Sequence, residues 1–231
     1  MNNGRVVAIG GEEGDMSLIW RNIVSLARVE RPRLVFLPTA SYDEAGDEDA
    51  LKATFAALGC SSFQTVRLTE PGWTREKIRE TILNADAVFA GGGNLAFLMD
   101  VWIRTGADAV LREAFDAGIV LSGNSSGAMC WFEEGYDDCG EDHAYTFVDC
   151  LGLLAGCNCP HYENEHWKSF AEAVKTRSRS GIACEDGAAL IYDRGVWRTA
   201  YSVAGRNVWY LDRAKGFAQT RWEELAETPA R

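Results

Sequence analysis

Residues 119–132 have the sequence IVLSGNSSGAMCWF. The apolar run Ile119–Leu121 predicts a strand, and the segment Ala128–Phe132 predicts a helix. Between them lies the G-x-S-x-G pentapeptide Gly123–Gly127. A strand that turns sharply into a helix projects the residue at the turn outward, and small flanking residues allow the strained bend. This stretch therefore predicts an α/β fold and makes Ser125 a candidate nucleophile.

The rest of the chain alternates short apolar runs with helical patterns. The predicted strands before Ile119 are Arg5–Ile9, Leu34–Leu37, Phe63–Leu68 and Ala87–Ala90, and the predicted helices are Met16–Val29, Asp47–Leu58, Thr74–Leu83, 95–104 and 107–117. Wholly apolar strands separated by helices are typical of a parallel sheet covered on both faces. From Ile182 onward, short strands alternate with turns. We therefore expect one α/β domain over residues 1–231, with a mixed or antiparallel extension on its C-terminal side.

Composition and charge narrow the class of protein. Of the 231 residues, 47% are hydrophobic and 25% charged, which is typical of a soluble globular protein. The net charge of −11 disfavours nucleic acid and anionic membranes as partners, because both require a basic face. Residues 1–5 have no apolar signal-peptide core, and no stretch approaches the roughly 18 apolar residues of a membrane span. We expect a cytoplasmic protein.

The cysteines do not suggest a metal centre. There are seven, an odd number, without a C-x-x-C pair. The spacing of Cys157 and Cys159 does not suit a zinc knuckle, and few histidines could complete one. We expect reduced thiols and neither a metal nor a cofactor.

A second glycine-rich turn follows the predicted strand Ala87–Ala90. Its sequence, Gly91–Ala96, fits the dinucleotide fingerprint G-x-G-x-x-A, but it follows the fourth strand rather than the first. The acidic residue about twenty positions further on, Glu113, falls within a predicted helix. Three interpretations remain open: a nucleotide site, a structural turn, and an oxyanion hole in which glycine amides face a developing negative oxygen.

A serine nucleophile needs a base, and the chain has three histidines. His143 lies in an acidic segment that is typical of a solvated loop, and His166 lies at the start of an apparent helix. His161 follows Pro160, and the proline prevents a helix from forming at this point. The imidazole would then be held at the end of a strand. His161 is the favoured base, with a structural histidine as the alternative.

Several carboxylates could orient that imidazole. Glu185 ends the apolar strand Ile182–Cys184 and is favoured, with Asp186 as its nearest rival. The acidic residues of 133–138 are closer to Ser125 in sequence, but such a run is usually a solvated face. The order serine, histidine, acid differs from the serine, acid, histidine order of α/β-hydrolases.

Four motifs, in order and spacing, resemble those of the dipeptidase E (aspartyl dipeptidase) and cyanophycinase family, peptidase family S51. They are the turn Val88–Asn94, the elbow Gly123–Ala128, the histidine site Pro160–Tyr162 and the acid site Gly181–Gly187. The resemblance implies a three-layer parallel-sheet domain of the class I glutamine amidotransferase-like (flavodoxin-like) type, with a C-terminal antiparallel extension.

The same resemblance implies a serine-type dipeptidase. Ser125 would be the nucleophile, His161 the general base and Glu185 the orienting acid, and the amides of Gly93 and Ser126 would form the oxyanion hole. Ser126 stands where the family usually has alanine. The expected partners are a small peptide substrate and a second copy of the chain in a homodimer.

Substrate specificity is not determined by these motifs. Aspartyl dipeptidases bind the substrate carboxylate with an arginine beyond the histidine, and no recognisable motif marks it among four basic residues, Lys168, Lys175, Arg177 and Arg179. A solvated helix face is the simpler interpretation of all four. A cyanophycinase-like hydrolase of aspartyl-arginine peptides and a non-catalytic ligand-binding protein of the same fold remain the alternatives.

Overall fold

A computed structural model describes residues 3–44, 46 and 48–226. A seven-stranded sheet forms its centre, in the order β11-β10-β1-β5-β4-β2-β3. Its strands are β1 (Arg5–Ile9), β2 (Arg33–Leu37), β3 (Ser62–Thr65), β4 (Ala87–Ala90), β5 (Val120–Asn124), β10 (Ala188–Asp193) and β11 (Val196–Tyr201). The first five are parallel, while β10 and β11 pair antiparallel at the β1 edge. The predicted parallel sheet with an antiparallel extension is confirmed.

Helices cover both faces of this sheet. These are α1 (Ser17–Leu26) and α2 (Glu48–Ala57) on one face, and α3 (Arg75–Leu83), α4 (Leu95–Thr105) and α5 (Ala107–Ala117) on the other. The short helices are α6 (Ser126–Met129), α7 (Phe170–Ala173) and α8 (Trp222–Ala226). The bounds of α2 to α5 agree with the predicted bounds to within one residue, and α1 ends three residues before its predicted end. Thr74 caps α3 by accepting a hydrogen bond from the Lys77 amide. Asp47, the predicted start of α2, lies outside the described residues.

The strand side chains alternate between two hydrophobic cores. On β1, Val6 and Ala8 pack with α3, α4 and α5, whereas Val7 and Ile9 pack with α1 and α2. All four are fully buried. Burial of both faces explains the run of apolar residues in β1 from Val6 to Ile9. Each large buried side chain contributes about 1.5–3 kcal/mol to stability.

A second, six-stranded sheet lies beyond the elbow, in the order β13-β12-β9-β8-β6-β7. Its strands are β6 (Phe132–Asp137), β7 (Thr146–Asp149), β8 (Leu154–Cys159), β9 (Gly181–Cys184), β12 (Val208–Asp212) and β13 (Ala218–Arg221). It is mixed, because β6, β8 and β9 are parallel and the others antiparallel. One of its faces joins the core that contains α4.

Two local predictions around this sheet are wrong. The acidic run of 133–138 is not a solvated face, since β6 occupies most of it and Glu134 and Asp137 are buried. The Glu134 carboxylate pairs with Arg177 and Arg179, and Asp137 accepts a hydrogen bond from the Leu95 amide at 2.9 Å. Partners distant in sequence therefore allow these acids to be buried.

The helix predicted over Ala128–Phe132 is a single turn that ends at Met129, and Phe132 begins β6. Within the described part of the chain, no helix has the length and apolar character needed to cross a membrane.

Candidate active site

Ser125 lies at the strained turn between β5 and α6. Its backbone angles are φ 53° and ψ −122°, a region that non-glycine residues rarely adopt. The flanking glycines are required by space: a Cβ on Gly123 would lie 2.2 Å from the Gly127 carbonyl oxygen, and one on Gly127 would lie 2.0 Å from that of Ala90. The Ser125 amide bonds to the carbonyl of Ile9 at the end of β1. The predicted elbow is present and is anchored to the neighbouring strand.

His161 follows β8 and faces this serine. Its Nε2 lies 2.9 Å from Ser125 Oγ. The residue takes a positive φ of 52°, and the amide of Tyr162 bonds to the carbonyl of Cys184 at the end of β9. The Trp167 ring packs against the imidazole, with centroids 5.2 Å apart. These contacts hold a general-base candidate within hydrogen-bond distance of the candidate nucleophile.

The carboxylate on the other side of the imidazole belongs to Asp186. Its Oδ1 lies 2.6 Å from His161 Nδ1. Glu185 does not make this contact, which corrects the prediction from the sequence. Glu185 is buried, and its carboxylate accepts hydrogen bonds from Trp209 Nε1 at 2.7 Å and the Asn207 amide at 2.9 Å. Adjacent residues of an extended chain point in opposite directions, so only one of the two acids can face the imidazole.

The environment of Asp186 favours its charged form. Partial burial alone would raise the pKa of this carboxyl group. The hydrogen bond and charge of His161 outweigh that effect, with smaller contributions from Glu163 and Arg206, so the pKa lies below its usual value. An ionised Asp186 can accept a hydrogen bond from His161 Nδ1–H, which fixes the tautomer that leaves Nε2 free as an acceptor.

Two further residues that lie against Asp186 and His161 were not predicted from the sequence. Glu163 Oε2 accepts a hydrogen bond from the Asp186 amide at 2.9 Å. Gly11, which follows β1, passes so close that a Cβ there would lie 1.9 Å from Asp186 Oδ1 and 2.7 Å from His161 Cε1. The glycine pair after the first strand and an acid two positions beyond His161 were the available sequence signals.

The turn after β4 lies beside the elbow. A Cβ on Gly92 would be 3.1 Å from Ser125 Cβ, and one on Gly93, whose φ is +144°, would be 2.2 Å from the Ala40 carbonyl oxygen. The Ser126 hydroxyl donates to the Gly93 carbonyl at 2.6 Å and ties the turn to the elbow. Ser126 also begins α6, where an amide has no acceptor within its helix. The position of both residues is consistent with an oxyanion hole.

Comparison with known proteins identifies the family. The model of Peptidase family S51 matches residues 6–199. The chain belongs to peptidase family S51. It is 31% identical over 233 residues to the uncharacterized peptidase YgaJ of Bacillus subtilis, covering 97% of this chain and 96% of that protein. It is 29% identical over 153 residues to the uncharacterized peptidase Lin0382 of Listeria innocua, covering 61% of this chain and 69% of the relative.

Solved structures share the fold of this S51 peptidase. A crystal structure of a peptidase from an acI-B1 Actinobacterium superposes with a TM-score of 0.74 at 18% identity, covering 94% of this chain and 93% of that one. A putative peptidase E protein from Listeria monocytogenes gives a TM-score of 0.66 at 19% identity, with coverages of 86% and 98%. The predicted flavodoxin-like fold class is confirmed.

In this S51 peptidase, the four basic residues considered for substrate binding are all paired within the chain. Lys168 bonds to Glu165 and Lys175 to Glu172. Arg177 and Arg179 pair with buried Glu134, and Arg179 also with Glu133. The two other histidines, His143 and His166, are exposed. Lys168, Lys175, Arg177 and Arg179 therefore each have an acidic partner within the chain.

Within the described residues, no group of three or more His, Cys, Asp and Glu side chains is arranged to hold a metal ion. All seven cysteines are free thiols. Burial raises the pKa of the Cys159 and Cys184 thiols, which lie beneath the site on β8 and β9. They are therefore protonated and poor nucleophiles.

Proposed function

We propose that this S51 peptidase is a serine peptidase that hydrolyses short peptides with Ser125, His161 and Asp186. The observation that carries the proposal is one continuous hydrogen-bonded chain: Ser125 Oγ to His161 Nε2 at 2.9 Å, and His161 Nδ1 to Asp186 Oδ1 at 2.6 Å. Nucleophile, base and orienting acid in this order are the arrangement that activates a serine hydroxyl.

In the acylation step, Ser125 Oγ attacks the carbonyl carbon of the scissile peptide while His161 Nε2 takes the hydroxyl proton. Asp186 holds the imidazole and stabilises the imidazolium that forms. The amides of Gly93 and Ser126 would donate to the oxyanion of the tetrahedral intermediate. When the C–N bond breaks, His161 returns the proton to the leaving amine, and the acyl group stays on Ser125 as an ester.

In the deacylation step, His161 takes a proton from water, and the resulting hydroxide attacks the ester carbonyl. The acid product leaves as the proton returns to Ser125 Oγ. The enzyme then stands as it began, so one water is consumed for each peptide bond cleaved. No other co-reactant enters this scheme.

The surroundings of the serine favour short substrates. The carboxyl ends of β1, β4 and β5 and helix α2 enclose a cavity of about 560 Å³ that Gly92 and Asn124 line beside Ser125. A volume in this range suits a small ligand rather than an extended chain. We place the activity in the cytoplasm, because free thiols in a chain with seven cysteines suit a reducing compartment.

The test is hydrolysis of a dipeptide panel with acidic, neutral and basic first residues, by wild type and Ser125→Ala. A fluorophosphonate probe, which labels activated serines, is applied in parallel and its position is read by peptide mass spectrometry. We expect turnover and labelling at Ser125 in wild type, and neither in Ser125→Ala or His161→Ala. Equal inertness of wild type and Ser125→Ala, without labelling, would favour the non-catalytic alternative.

A further inference from the structure

The His161 imidazole packs against an indole. The Trp167 ring lies with its centroid 5.2 Å from that of the imidazole, at an interplanar angle of 55°. Trp167 is buried, whereas the His161 side chain keeps 27% of its surface exposed. The hydrogen bonds from the imidazole to Asp186 and Ser125 hold its two nitrogen atoms. The contact with Trp167 is of a different kind, because it presses one ring against another.

A short turn of the chain brings Trp167 back to His161. The Asn164 amide donates to the His161 carbonyl at 2.9 Å, and the Trp167 amide donates to the Asn164 carbonyl at 3.0 Å. The thiol of Cys159, the last residue of β8, donates to the Trp167 carbonyl at 3.8 Å. These bonds fix the backbone of Trp167 relative to that of His161, so the indole has a defined position beside the imidazole.

Aromatic side chains of the second sheet support the indole. Tyr145, which precedes β7, meets Trp167 edge to face with ring centroids 5.0 Å apart. Tyr136 on β6 stacks on Tyr145 with centroids 5.5 Å apart, and its hydroxyl lies 3.0 Å from the Ser169 hydroxyl. Rings at these separations attract one another in edge-to-face and offset arrangements. A row of rings therefore leads from β6 to the imidazole, and each ring limits the movement of the next.

The proposed reaction places two demands on the imidazole. It must keep its orientation while it moves a proton between Ser125 Oγ and the leaving amine, because a displacement of about 1 Å can cost 10²-fold in rate. It also carries a positive charge after it has taken that proton. A cation within about 6 Å of an indole centroid is attracted by the π-electrons of the ring. Trp167 lies within that distance and meets both demands.

We propose that Trp167 is a positioning residue for the general base: its indole holds the His161 imidazole between Ser125 and Asp186 and stabilises the imidazolium that forms during the reaction. The inference rests on the proposed function and adds to it a residue that acts through His161. Tyr145 holds the indole in turn. The ring of Tyr145 therefore contributes to the rate, and its hydroxyl does not.

Steady-state kinetics on the dipeptide panel test the proposal. Trp167→Leu should lower kcat about 10–100-fold, because the base loses its orientation. KM should stay within about twofold of wild type, since no contact with substrate is removed. Trp167→Phe should restore kcat to within about fivefold of wild type, because a phenyl ring keeps a π face. Tyr145→Leu should lower kcat less than Trp167→Leu, and Tyr145→Phe should be close to wild type.

Trp197→Leu is the matched control. Trp197 also packs against two rings, those of Tyr192 and Trp222, but it lies on β11 at the edge of the seven-stranded sheet. Urea unfolding should show a loss of stability in this variant and in Trp167→Leu, whereas only Trp167→Leu should lose kcat. A rise in KM at unchanged kcat in Trp167→Leu would make the indole a substrate contact and overturn the proposal. Equal losses of kcat in the two leucine variants would also overturn it.

Two measurements without a peptide substrate separate this inference from the peptidase function. The rate at which the fluorophosphonate probe labels Ser125 reports activation by His161, and it should fall in Trp167→Leu in proportion to kcat. In proton NMR, the His161 Nδ1–H that donates to Asp186 should give a low-field resonance in wild type, Trp167→Phe and Trp197→Leu. That resonance should broaden or vanish in Trp167→Leu, because a mobile imidazole exposes the proton to exchange with water.

The outcomes for the two proposals differ. Wild-type rates of hydrolysis and labelling in Trp167→Leu, with an unchanged resonance, would overturn the inference and leave the peptidase intact. Loss of the resonance in Trp167→Leu, in a protein whose wild type neither hydrolyses peptides nor reacts with the probe, would support the positioning role of Trp167 and contradict the peptidase.

Discussion

The Asp186 carboxylate lies 2.6 Å from His161 Nδ1, whereas that of the preceding residue, Glu185, lies 2.7 Å from the indole Nε1 of Trp209. Two neighbouring acids at the end of one strand therefore serve different partners. Asp186 faces the candidate site, whereas Glu185 forms a hydrogen bond that links the end of β9 to β12. The contrast gives a paired test of which acid assists catalysis.

Asp186→Asn should lower kcat by roughly 10²–10⁴-fold, because an amide holds the imidazole less well in the productive tautomer. Glu185→Gln should keep kcat within about fivefold of wild type and reduce the free energy of unfolding by about 1–2 kcal/mol, since its hydrogen bonds lose their charge. Steady-state kinetics and urea unfolding of both variants check this. The reverse pattern, with catalysis lost in Glu185→Gln alone, would return the acid role to Glu185.

Ser126→Ala should reduce kcat less than tenfold. The hydroxyl donates one neutral hydrogen bond to the Gly93 carbonyl, which is worth about 1 kcal/mol. Ser125→Ala should lower kcat by roughly 10⁴-fold or more. Both rates are measured on the same dipeptide. If Ser126→Ala were inert and Ser125→Ala active, Ser126 would be the nucleophile.

Gly11→Ala should abolish most activity without unfolding the protein. The new methyl group would overlap Asp186 Oδ1 and press on His161 Cε1, and displacement of catalytic groups by about 1 Å can cost 10²-fold in rate. Gly59→Ala is the matched control, because a Cβ there meets open space at a φ of +95°. It should lower the melting temperature slightly and leave kcat unchanged. Comparable kinetic losses in the two variants would argue against a local effect at Gly11.

Glu163→Gln should change the pH dependence of stability. Burial, followed by the charge of Asp186, raises the pKa of Glu163 above its usual value. The folded protein therefore binds this proton more tightly than the unfolded chain, and wild type loses stability as pH rises through the raised pKa. Glutamine still offers an acceptor to the Asp186 amide and does not titrate. The difference in unfolding free energy between wild type and variant should move in favour of the variant with rising pH; a constant difference would contradict the assignment.

Asp137→Asn gives a second pH test, away from the triad. Burial raises the pKa of Asp137 to about 6 although the Leu95 amide donates to its carboxylate. Its stabilising contribution is complete below the usual aspartate pKa and is lost as pH rises through about 6. The loss amounts to at most about 3 kcal/mol. Urea unfolding between acidic and neutral pH should show this decline in wild type and not in Asp137→Asn, and parallel curves would refute it.

The parallel sheet followed from local patterns. Strand β4 is wholly apolar, and β1 and β2 are apolar after their first residue, because both faces of these strands are covered. The helices between them have apolar positions at helical spacing. The second sheet could not be predicted from local patterns, because the charged residues in its strands are typical of a solvated surface. Glu134 is buried only because Arg177 and Arg179 reach it from more than 40 residues away in the chain. No local pattern contains that information.

The sequence by itself determined the family, the α/β fold, and Ser125 as the elbow residue. The elbow could be recognised because the backbone leaves no space for a Cβ at positions 123 and 127, so both must be glycine, and this pattern lies in one short stretch of sequence. Only the tertiary structure decided which acid faces His161, since the choice between Glu185 and Asp186 depends on the direction of side chains at the end of β9. The same is true of the cavity beside Ser125. Glu12, Glu44 and Asn124 come together from separate segments because β1, β2 and β5 end at one edge of the sheet.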